Sequence, residues 1–168
     1  KTGSRFSQRT IKCKTMAIRM TTSLSEINAM FDTGTKQIDS VTIQALANLG
    51  NECVTEARDR SQEESWFNQT GNLRSSVGYV VVAHGEIVKT SGFETVLSGS
   101  EGSKTGKELA VRLTKNYSSG YVLIVVAGMH YAEYVEAKDS KSVLASAELL
   151  AHADFYHMME KLKSQVVG

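Results

Sequence analysis

The sequence contains no proline and only two cysteines among its 168 residues. Without proline, its turns must rely on Gly, Asn, Asp and Ser. The two thiols, Cys13 and Cys53, make no disulfide framework, and their separation matches no metal-ligand spacing such as CxxC. We therefore expect both cysteines to be reduced, as in a protein that assembles in the cytosol. We expect no metal and no other cofactor.

The sequence also lacks any run of 18 apolar residues, so it predicts no transmembrane helix. Its first residues are too polar for a signal peptide. Hydrophobic residues make up 41% of the chain and charged residues 22%, which is close to the globular average. A chain of this length suits a single domain, and we expect no membrane partner.

Acidic residues are missing from the first 25 positions, where six basic residues occur: Lys1, Arg5, Arg9, Lys12, Lys14 and Arg19. The remainder of the chain holds 13 basic and 18 acidic residues, a net charge of −5. This asymmetry predicts a basic extended arm over residues 1–22 and one α+β domain over residues 23–168. Such an arm can bind a neighbouring copy or another acidic surface. The alternative is a solvated tail.

Apolar periodicity predicts a long helix from about Thr35 to Arg60, since one stripe recurs at steps of three and four residues: Ile38, Val41, Ala45, Leu49 and Cys53. A short helical turn at Ser25–Phe31, with Ser25 as its N-cap, is expected before it. A final helix is predicted from about Glu148 to Val166, with one apolar face made by Ala151, Phe155, Met158, Leu162 and Val166.

Strands are predicted between these helices. Val77–Ala83 is rich in β-branched residues, and a turn at His84-Gly85 leads to a second strand at Glu86–Lys89. Tyr121–Ala127 is a continuous apolar run, which is typical of a strand buried on both faces. Ser142–Ala147 is a further strand candidate. Tyr131–Lys138 fits either a strand or a short helix.

Residues 90–120 interrupt the strands and are read as an insertion with a helix at about Lys104–Asn116, whose apolar residues are Leu109, Val111 and Leu113. The fold class predicted is α+β. An antiparallel sheet carries the long N-terminal helix and the C-terminal helix on one face, with a helical insertion between strands. Leu49, Val80 and Ile124 are expected to be buried between helix and sheet.

The sequence matches none of the catalytic motifs that we compared with it, so we expect that the protein is not an enzyme. The glycine-rich stretch Gly99–Lys107 has the wrong spacing for a phosphate-binding loop, and Glu108 stands where that loop needs a hydroxyl. We interpret it as a flexible loop before a helix. Glu133 and Glu136 could act as an acid–base pair, but two acids flanked by tyrosines are more often part of an exposed strand edge or of a salt bridge between subunits. Cys53 lies on an apolar helical stripe, where a core thiol is usual.

Two stretches carry a resemblance to a known family: Thr70-Gly71-Asn72-Leu73-Arg74-Ser75-Ser76-Val77 and Val125-Val126-Ala127-Gly128-Met129-His130-Tyr131-Ala132-Glu133-Tyr134-Val135-Glu136-Ala137. They resemble the two signatures of the tail-completion, or head–tail joining, morphogenesis proteins of long-tailed bacteriophages. The order of the signatures and the long helix before the first one also agree. Ala137-Lys138 departs from the aromatic residue and glycine usual in that family, and the basic arm has no counterpart.

The resemblance implies a structural virion protein at the head–tail interface, assembled in the host cytoplasm. It implies a homo-oligomeric ring, expected to be a hexamer, with DNA passing through its lumen without sequence-specific binding. The implied partners are other neck and tail proteins: the connector or adaptor, the tail terminator and the tail tube. A tail terminator or head-closure protein is the nearest alternative. A nucleic-acid-binding module using the arm and a hydrolase are alternatives from other classes.

Ten residues are candidates for contacts between subunits. Leu73 and Val77 can enter the core while Arg74 points outward toward an acid on a neighbour. Tyr131 and Tyr134 are large amphipathic residues of the kind enriched at interfaces, although they also suit a cap on the sheet. The predicted interface residues are Arg5, Arg9, Lys12, Lys14, Arg19, Arg74, Tyr131, Glu133, Tyr134 and Glu136.

Overall fold

A computed structural model of the chain describes residues 22–59, 70–137 and 142–167. The chain divides into two compact units, residues 1–34 and residues 35–168. Residues 1–21 of the predicted arm lie outside the described residues.

The described residues have the predicted α+β architecture. In chain order their elements are α1 (Leu24–Arg58), α2 (Asn72–Ser75), β1 (Val77–Ala83), β2 (Glu86–Gly92), α3 (Ser100–Thr114), β3 (Tyr121–Ala127), α4 (Ala132–Ala137) and α5 (Ala145–Val167). In these parts of the chain, no helix combines the length and the apolar composition that crossing a bilayer requires.

Helix α1 starts eleven residues before the predicted position, because Ser23 and Glu26 cap it reciprocally. The Glu26 N–H donates to Ser23 Oγ at 3.2 Å, and the Ser23 N–H donates to Glu26 Oε2 at 2.8 Å. This capping box satisfies backbone groups at the first turn. The prediction of a separate turn at Ser25–Phe31 capped by Ser25 was therefore wrong.

The three described strands form one antiparallel sheet in the order β2-β1-β3. The bounds of β1 and β3 are those predicted, whereas β2 continues three residues beyond Lys89 to Gly92. His84 and Gly85 join β1 to β2 with φ of 53° and 87°. Two left-handed residues in succession make a tight hairpin turn whose twist matches that of the strands.

Strand β1 is buried along its whole length because both faces of the sheet are covered. Val77, Tyr79 and Val81 join a core with residues of α1 and α5. Val80 joins a second core with Ala110 of α3 on the opposite face. Leu49 and Val80 are buried as predicted, but they lie in different cores.

Strand β3 is an edge strand, and this corrects the prediction that both of its faces are buried. All of its residues except Val126 are only half-buried, Ile124 among them. The predicted strand at Ser142–Ala147 is also wrong, because this segment is a loop that leads into α5 at Ala145. Of the two alternatives for Tyr131–Lys138, the structure shows the short helix α4.

Helix α3 packs on the sheet through small residues together with two of its three predicted apolar residues. Leu109 and Leu113 are half-buried against the core that contains Val80 and Phe93, whereas Val111 is 48% exposed. The buried residues of α3 are Gly102, Ser103, Gly106, Ala110 and Thr114. A Cβ added to Gly102 would lie 1.9 Å from the Asn72 carbonyl oxygen, and one on Gly106 would lie 2.4 Å from that of Ser76. The stretch interpreted as a flexible loop therefore begins at Gly99 as an N-cap and continues as a close-packed helix.

Phe93 fills the remaining space beside these glycines. A Cβ on Gly78 would lie 2.6 Å from the Phe93 ring, and one on Gly106 would lie 2.8 Å from it. The Phe93 N–H donates to the Val77 carbonyl at 2.9 Å, which holds the residue at a φ of 57°. The aromatic ring is thus enclosed between the sheet and α3, and 2% of Phe93 is exposed.

Helix α5 covers the other face of the sheet together with α1. Ala147 and Leu162 are buried and Met158 is half-buried, but Phe155 of the predicted apolar face is 44% exposed. The Cys53 thiol of α1 donates to the Ala147 carbonyl of α5 at 3.6 Å. Burial raises the pKa of Cys53 to about 11, so this thiol is a poor nucleophile at neutral pH.

We predict that Gly106→Ala destabilises the fold even though alanine favours helices. The helix gains about 0.5–1 kcal/mol, but overpacking against Ser76 and Phe93 costs about 1–3 kcal/mol. The contact with the Ser76 carbonyl oxygen is with backbone, which cannot move aside as a flexible side chain can, so the cost should lie in the upper part of this range. We expect a net loss of about 1–2.5 kcal/mol, measured by urea denaturation. Gly34→Ala is the matched control, because nothing lies within 4 Å of its Cβ, and it should be neutral or stabilising. Equal effects at both positions would contradict the packing of α3.

Candidate interaction surface

The two sequence segments that carry the resemblance are adjacent at one end of the sheet. Val77, the last residue of the first segment, pairs with Ala127 of the second. Beyond this pair, the Gly128 N–H donates to the Ser76 carbonyl at 3.2 Å. A Cβ on Gly128 would lie 2.4 Å from Gly106 Cα. Segments about fifty residues apart in sequence thus meet against the same glycine of α3.

Polar side chains in the first segment bind the loop and helix that come after β2. Ser75 is fully buried, and its Oγ accepts the Val96 N–H at 2.8 Å. Asn72 Oδ1 accepts the Gly102 N–H in the first turn of α3 at 3.2 Å. Gly71 has a φ of 81° and faces the Val96 carbonyl oxygen, which a Cβ would approach to 1.9 Å. The segment therefore anchors residues 93–102 rather than forming an exposed turn.

Arg74 does not simply point into solvent as predicted. It is half-buried and its Nε is enclosed. The reason is that α2 contacts both α3 and β1, so that all of its residues are buried or half-buried. Leu73 enters the core as predicted, in a small cluster with Met129, Ala132 and Val143.

The four candidate residues of the second segment separate into two pairs. Glu133 is exposed and Tyr134 is 64% exposed. Tyr131 is half-buried and packs on the cluster around Met129, and burial raises its pKa. Glu136 is half-buried and makes contacts within the chain. The exposed strand edge considered for Glu133 and Glu136 is not observed, since both lie on a short helix.

Glu136 caps the N-terminus of α5. Its Oε1 accepts the N–H groups of Val143, Leu144 and Ala145 at 3.1, 2.9 and 2.7 Å. A carboxylate at this position satisfies backbone donors that a helix leaves unpaired and interacts favourably with the helix dipole. Glu136 thereby links α4 to α5.

A cluster of Asp39, His84 and Tyr121 lies at the opposite end of β1 from Ser76. The Tyr121 hydroxyl donates to Asp39 Oδ1, and His84 Nε2 lies 3.5 Å from the same oxygen. The His84 and Tyr121 rings meet edge to face, with centroids 5.1 Å apart. The hydrogen bond from Tyr121 holds the pKa of Asp39 below its ordinary value of 3.8. The cluster ties α1 to the β1–β2 turn and to the start of β3.

Sequence reasoning missed this cluster. Asp39 and Tyr121 are 82 positions apart, and no motif joins them. His84 was interpreted as a turn residue, which is correct, but its second role depends on where α1 passes over the sheet.

A groove of about 800 Å³ runs between α1 and α5. Its floor is apolar, with Val41, Ala45, Leu49, Met158 and Leu162, and its walls carry amides and charged groups of both signs. Beyond the groove, Leu149 and Tyr156 of α5 are 73% and 75% exposed. Among the described residues, no group of three or more His, Cys, Asp or Glu side chains is placed to hold a metal ion.

The predicted interface residues of the arm, which are Arg5, Arg9, Lys12, Lys14 and Arg19, lie outside the described residues. The other five predicted interface residues lie on or just before two short helices that pack on the same cluster around Leu73 and Met129. Arg74 is on α2, and Glu133, Tyr134 and Glu136 are on α4, with Tyr131 just before it.

Comparison with known proteins identifies no relative: no protein-family model, curated protein or solved structure matches this chain.

We predict that Glu136→Ala lowers the free energy of unfolding by about 1–2 kcal/mol, as loss of a helix cap does. Glu133→Ala removes the same charge from an exposed position of the same helix, so it should change stability by less than about 0.5 kcal/mol. Thermal and urea denaturation of both variants measure the difference. A cost at Glu133 equal to that at Glu136 would show that charge, not capping, is responsible.

From the lowered pKa of Asp39 we predict that the stability of the fold depends on pH. Because its pKa is lower in the folded state, its contribution is present above the ordinary value of 3.8 and is lost as pH falls through the folded pKa. Asp39→Asn should therefore be less stable than the wild type at pH 6, and the difference should shrink toward pH 3. Urea denaturation between these pH values measures it. Tyr121→Phe should reduce the pH dependence, because it removes the main cause of the shift.

Proposed function

We propose that this chain is a non-enzymatic structural subunit of an oligomeric ring at the head–tail joint of a tailed bacteriophage, a tail-completion protein. The observation that carries the proposal is the adjacency of the two signature segments. They meet through the Val77–Ala127 pair and the hydrogen bond from Gly128 to Ser76. Segments that resemble two signatures of one family and share one end of a sheet are better explained by a common fold than by two chance similarities.

The surface of the chain also suits a subunit of an assembly. Tyr134 on α4, Leu97 before α3, and Leu149 and Tyr156 on α5 are each more than 60% exposed. Single exposed apolar residues are ordinary, but α5 carries four large ones that are each more than a third exposed, Leu149, Phe155, Tyr156 and Met159. A group of this kind indicates a contact surface. Aromatic residues in such places are enriched at protein interfaces.

The partners implied by this proposal are further copies of the chain and the adjoining neck and tail proteins, which are the connector or adaptor, the tail terminator and the tail tube. DNA would pass through the lumen without sequence-specific recognition. The protein would act in the virion, at the head–tail interface, after assembly in the host cytoplasm.

The basic arm favours one other candidate, a nucleic-acid-binding module. The arm has six basic residues and no acidic ones, a composition that favours contacts with the phosphates of nucleic acid. The net charge of −5 on the rest of the chain opposes it, because domains that bind nucleic acid usually carry basic surface on the body as well. Fluorescence anisotropy with short duplex DNA separates the two, since a module would bind with an affinity that falls steeply with salt.

The mass of the native particle tests the proposal directly. A closed hexamer of 18.3 kDa subunits has a mass of about 110 kDa. Native mass spectrometry should give one closed oligomer, and negative-stain images should show rings with a central opening. A monomer at all concentrations up to those of an infected cell, in the presence of the neighbouring neck proteins as well, would refute the ring.

We predict that neutralising the five arm residues Arg5, Arg9, Lys12, Lys14 and Arg19 to Gln weakens assembly and removes most of its salt dependence. Exposed ion pairs each contribute only about 0–1 kcal/mol, so several must act together, and salt screens them. The matched control changes five exposed body lysines to Gln: Lys36, Lys104, Lys107, Lys115 and Lys163. Sedimentation velocity at low and high salt compares the variants, and an arm variant that assembles like the wild type would leave the arm as a solvated tail.

A further inference from the structure

The two edges of the sheet have opposite character. Strand β2 carries Glu86 and Lys89, it is mostly exposed, and its register with β1 is interrupted between Val81 and Val82. Charges and irregularities of this kind are how natural proteins prevent an edge strand from pairing with another chain.

Strand β3 has none of these protections. Its sequence from Tyr121 to Ala127 contains no charged residue and no proline, and it pairs with β1 over all seven residues without interruption. Among the described strands, none lies beyond it. A regular apolar edge is a ready template for another strand, so this edge needs a partner in the functional protein.

The ladder with β1 identifies which backbone groups of β3 face outward. The His84 N–H donates to the Gly120 carbonyl at 2.8 Å, and the Gly128 N–H donates to the Ser76 carbonyl at 3.2 Å. Hydrogen-bonded pairs alternate along an antiparallel ladder. Between these two pairs, Val122, Ile124 and Val126 therefore bond to β1. The outward N–H and C=O groups belong to the alternate residues Tyr121, Leu123, Val125 and Ala127.

We infer that the outer edge of β3 binds an extended segment within Thr10–Met20 of a second copy of this chain, as a fourth strand. This inference deepens the proposed function, since it names the surface that the arm of one ring subunit contacts on the next. Twenty-one residues precede the described part of the chain, enough for a strand as long as β3 and a connection. From Thr15 to Met20 the large apolar residues Met16, Ile18 and Met20 alternate with the smaller or polar Thr15, Ala17 and Arg19, the pattern of a half-buried strand.

Strand addition also explains how the arm can stay bound although each exposed ion pair contributes little to the affinity. Main-chain hydrogen bonds supply the affinity in such complexes, and side chains select the partner. The arm contributes positive charge to a body with a net charge of −5, which favours encounter between copies. Each subunit would give one arm and accept one, a heterologous contact that closes into a ring when the rotation permits.

Amide hydrogen exchange of the full-length protein, read by NMR under assembly conditions, tests the inference residue by residue. The amides of Val122, Ile124 and Val126 should be protected whatever covers the edge. The amides of Tyr121, Leu123, Val125 and Ala127 should be protected only while the arm strand is bound. Exchange of this second set should accelerate roughly tenfold or more when the arm is disabled, as expected if about nine in ten edges are normally occupied.

The disabling variant is Ala17→Pro with Ile18→Pro. Successive N–H groups of a strand point to opposite sides, so adjacent prolines remove an edge-facing donor in either register. Thr2→Pro with Gly3→Pro is the matched control, since it places the same two residues outside the proposed strand. Faster exchange of the outward amides in the disabled variant alone supports the inference, whereas equal protection in both shows that another segment covers β3.

A mixing experiment decides whether the strand comes from a second copy. The disabled variant is labelled with ¹⁵N and mixed with unlabelled wild-type protein, whose intact arm can reach the labelled β3. Restored protection of Leu123 and Val125 in the labelled chains supports the exchange between copies, and no restoration overturns it. The native mass is independent of this result. Restored protection without a ring would refute the proposed function alone, and a ring without restored protection would refute this inference alone.

Discussion

The fold depends on the close approach of α3 to α2 and to Ser76, the residue that joins α2 to β1. Gly102 and Gly106, one helical turn apart, face the carbonyl groups of Asn72 and Ser76, and Gly128 meets Gly106 from the end of β3. A helix lies this near to backbone only where no Cβ intervenes, and dispersion contacts then accumulate over the matched surfaces. Because this contact sets the position of α3, it also sets the slot that receives Phe93 and the second face of the sheet.

Helices cover both faces of a sheet that has only three described strands, and this gives its strands unequal surroundings. Strand β1 is central and buried throughout, whereas β3 shares the same helical layers but ends the sheet. The apolar run of β3 therefore has two partly covered faces and one open row of hydrogen-bonding groups. The same run that suits a buried strand becomes, at an edge, a surface that attracts a partner.

The support for the proposed function comes from how the two signature segments are arranged and not from a reactive group. The side-chain oxygens of Ser75, Asn72 and Glu136 each accept hydrogen bonds from backbone N–H groups of neighbouring elements. These hydrogen bonds fix the loop before α3 and the N-termini of α3 and α5 to other parts of the same chain. In the proposed ring every subunit would repeat the same contacts, so a fixed arrangement of these elements would help to keep the orientation between neighbours constant.

The sequence by itself determined those helices, strands and turns whose patterns lie within a few neighbouring residues. The bounds of β1 and β3 followed from β-branched runs, the β1–β2 turn followed from His84-Gly85, and the helix stripe placed Leu49 and Cys53 in the core. The start of α1 could have been read as well, since Ser23 and Glu26 have the spacing of a capping box. Only the tertiary structure decided three further features: that β3 is an edge strand, that Arg74 is half-buried, and that Glu136 caps α5. Each depends on which element lies beside another, and for Asp39 and Tyr121 that neighbour is 82 positions away. Glycine is the clearest case: in the sequence Gly102 and Gly106 indicate a loop, and only the backbone facing them shows that they are needed for contact.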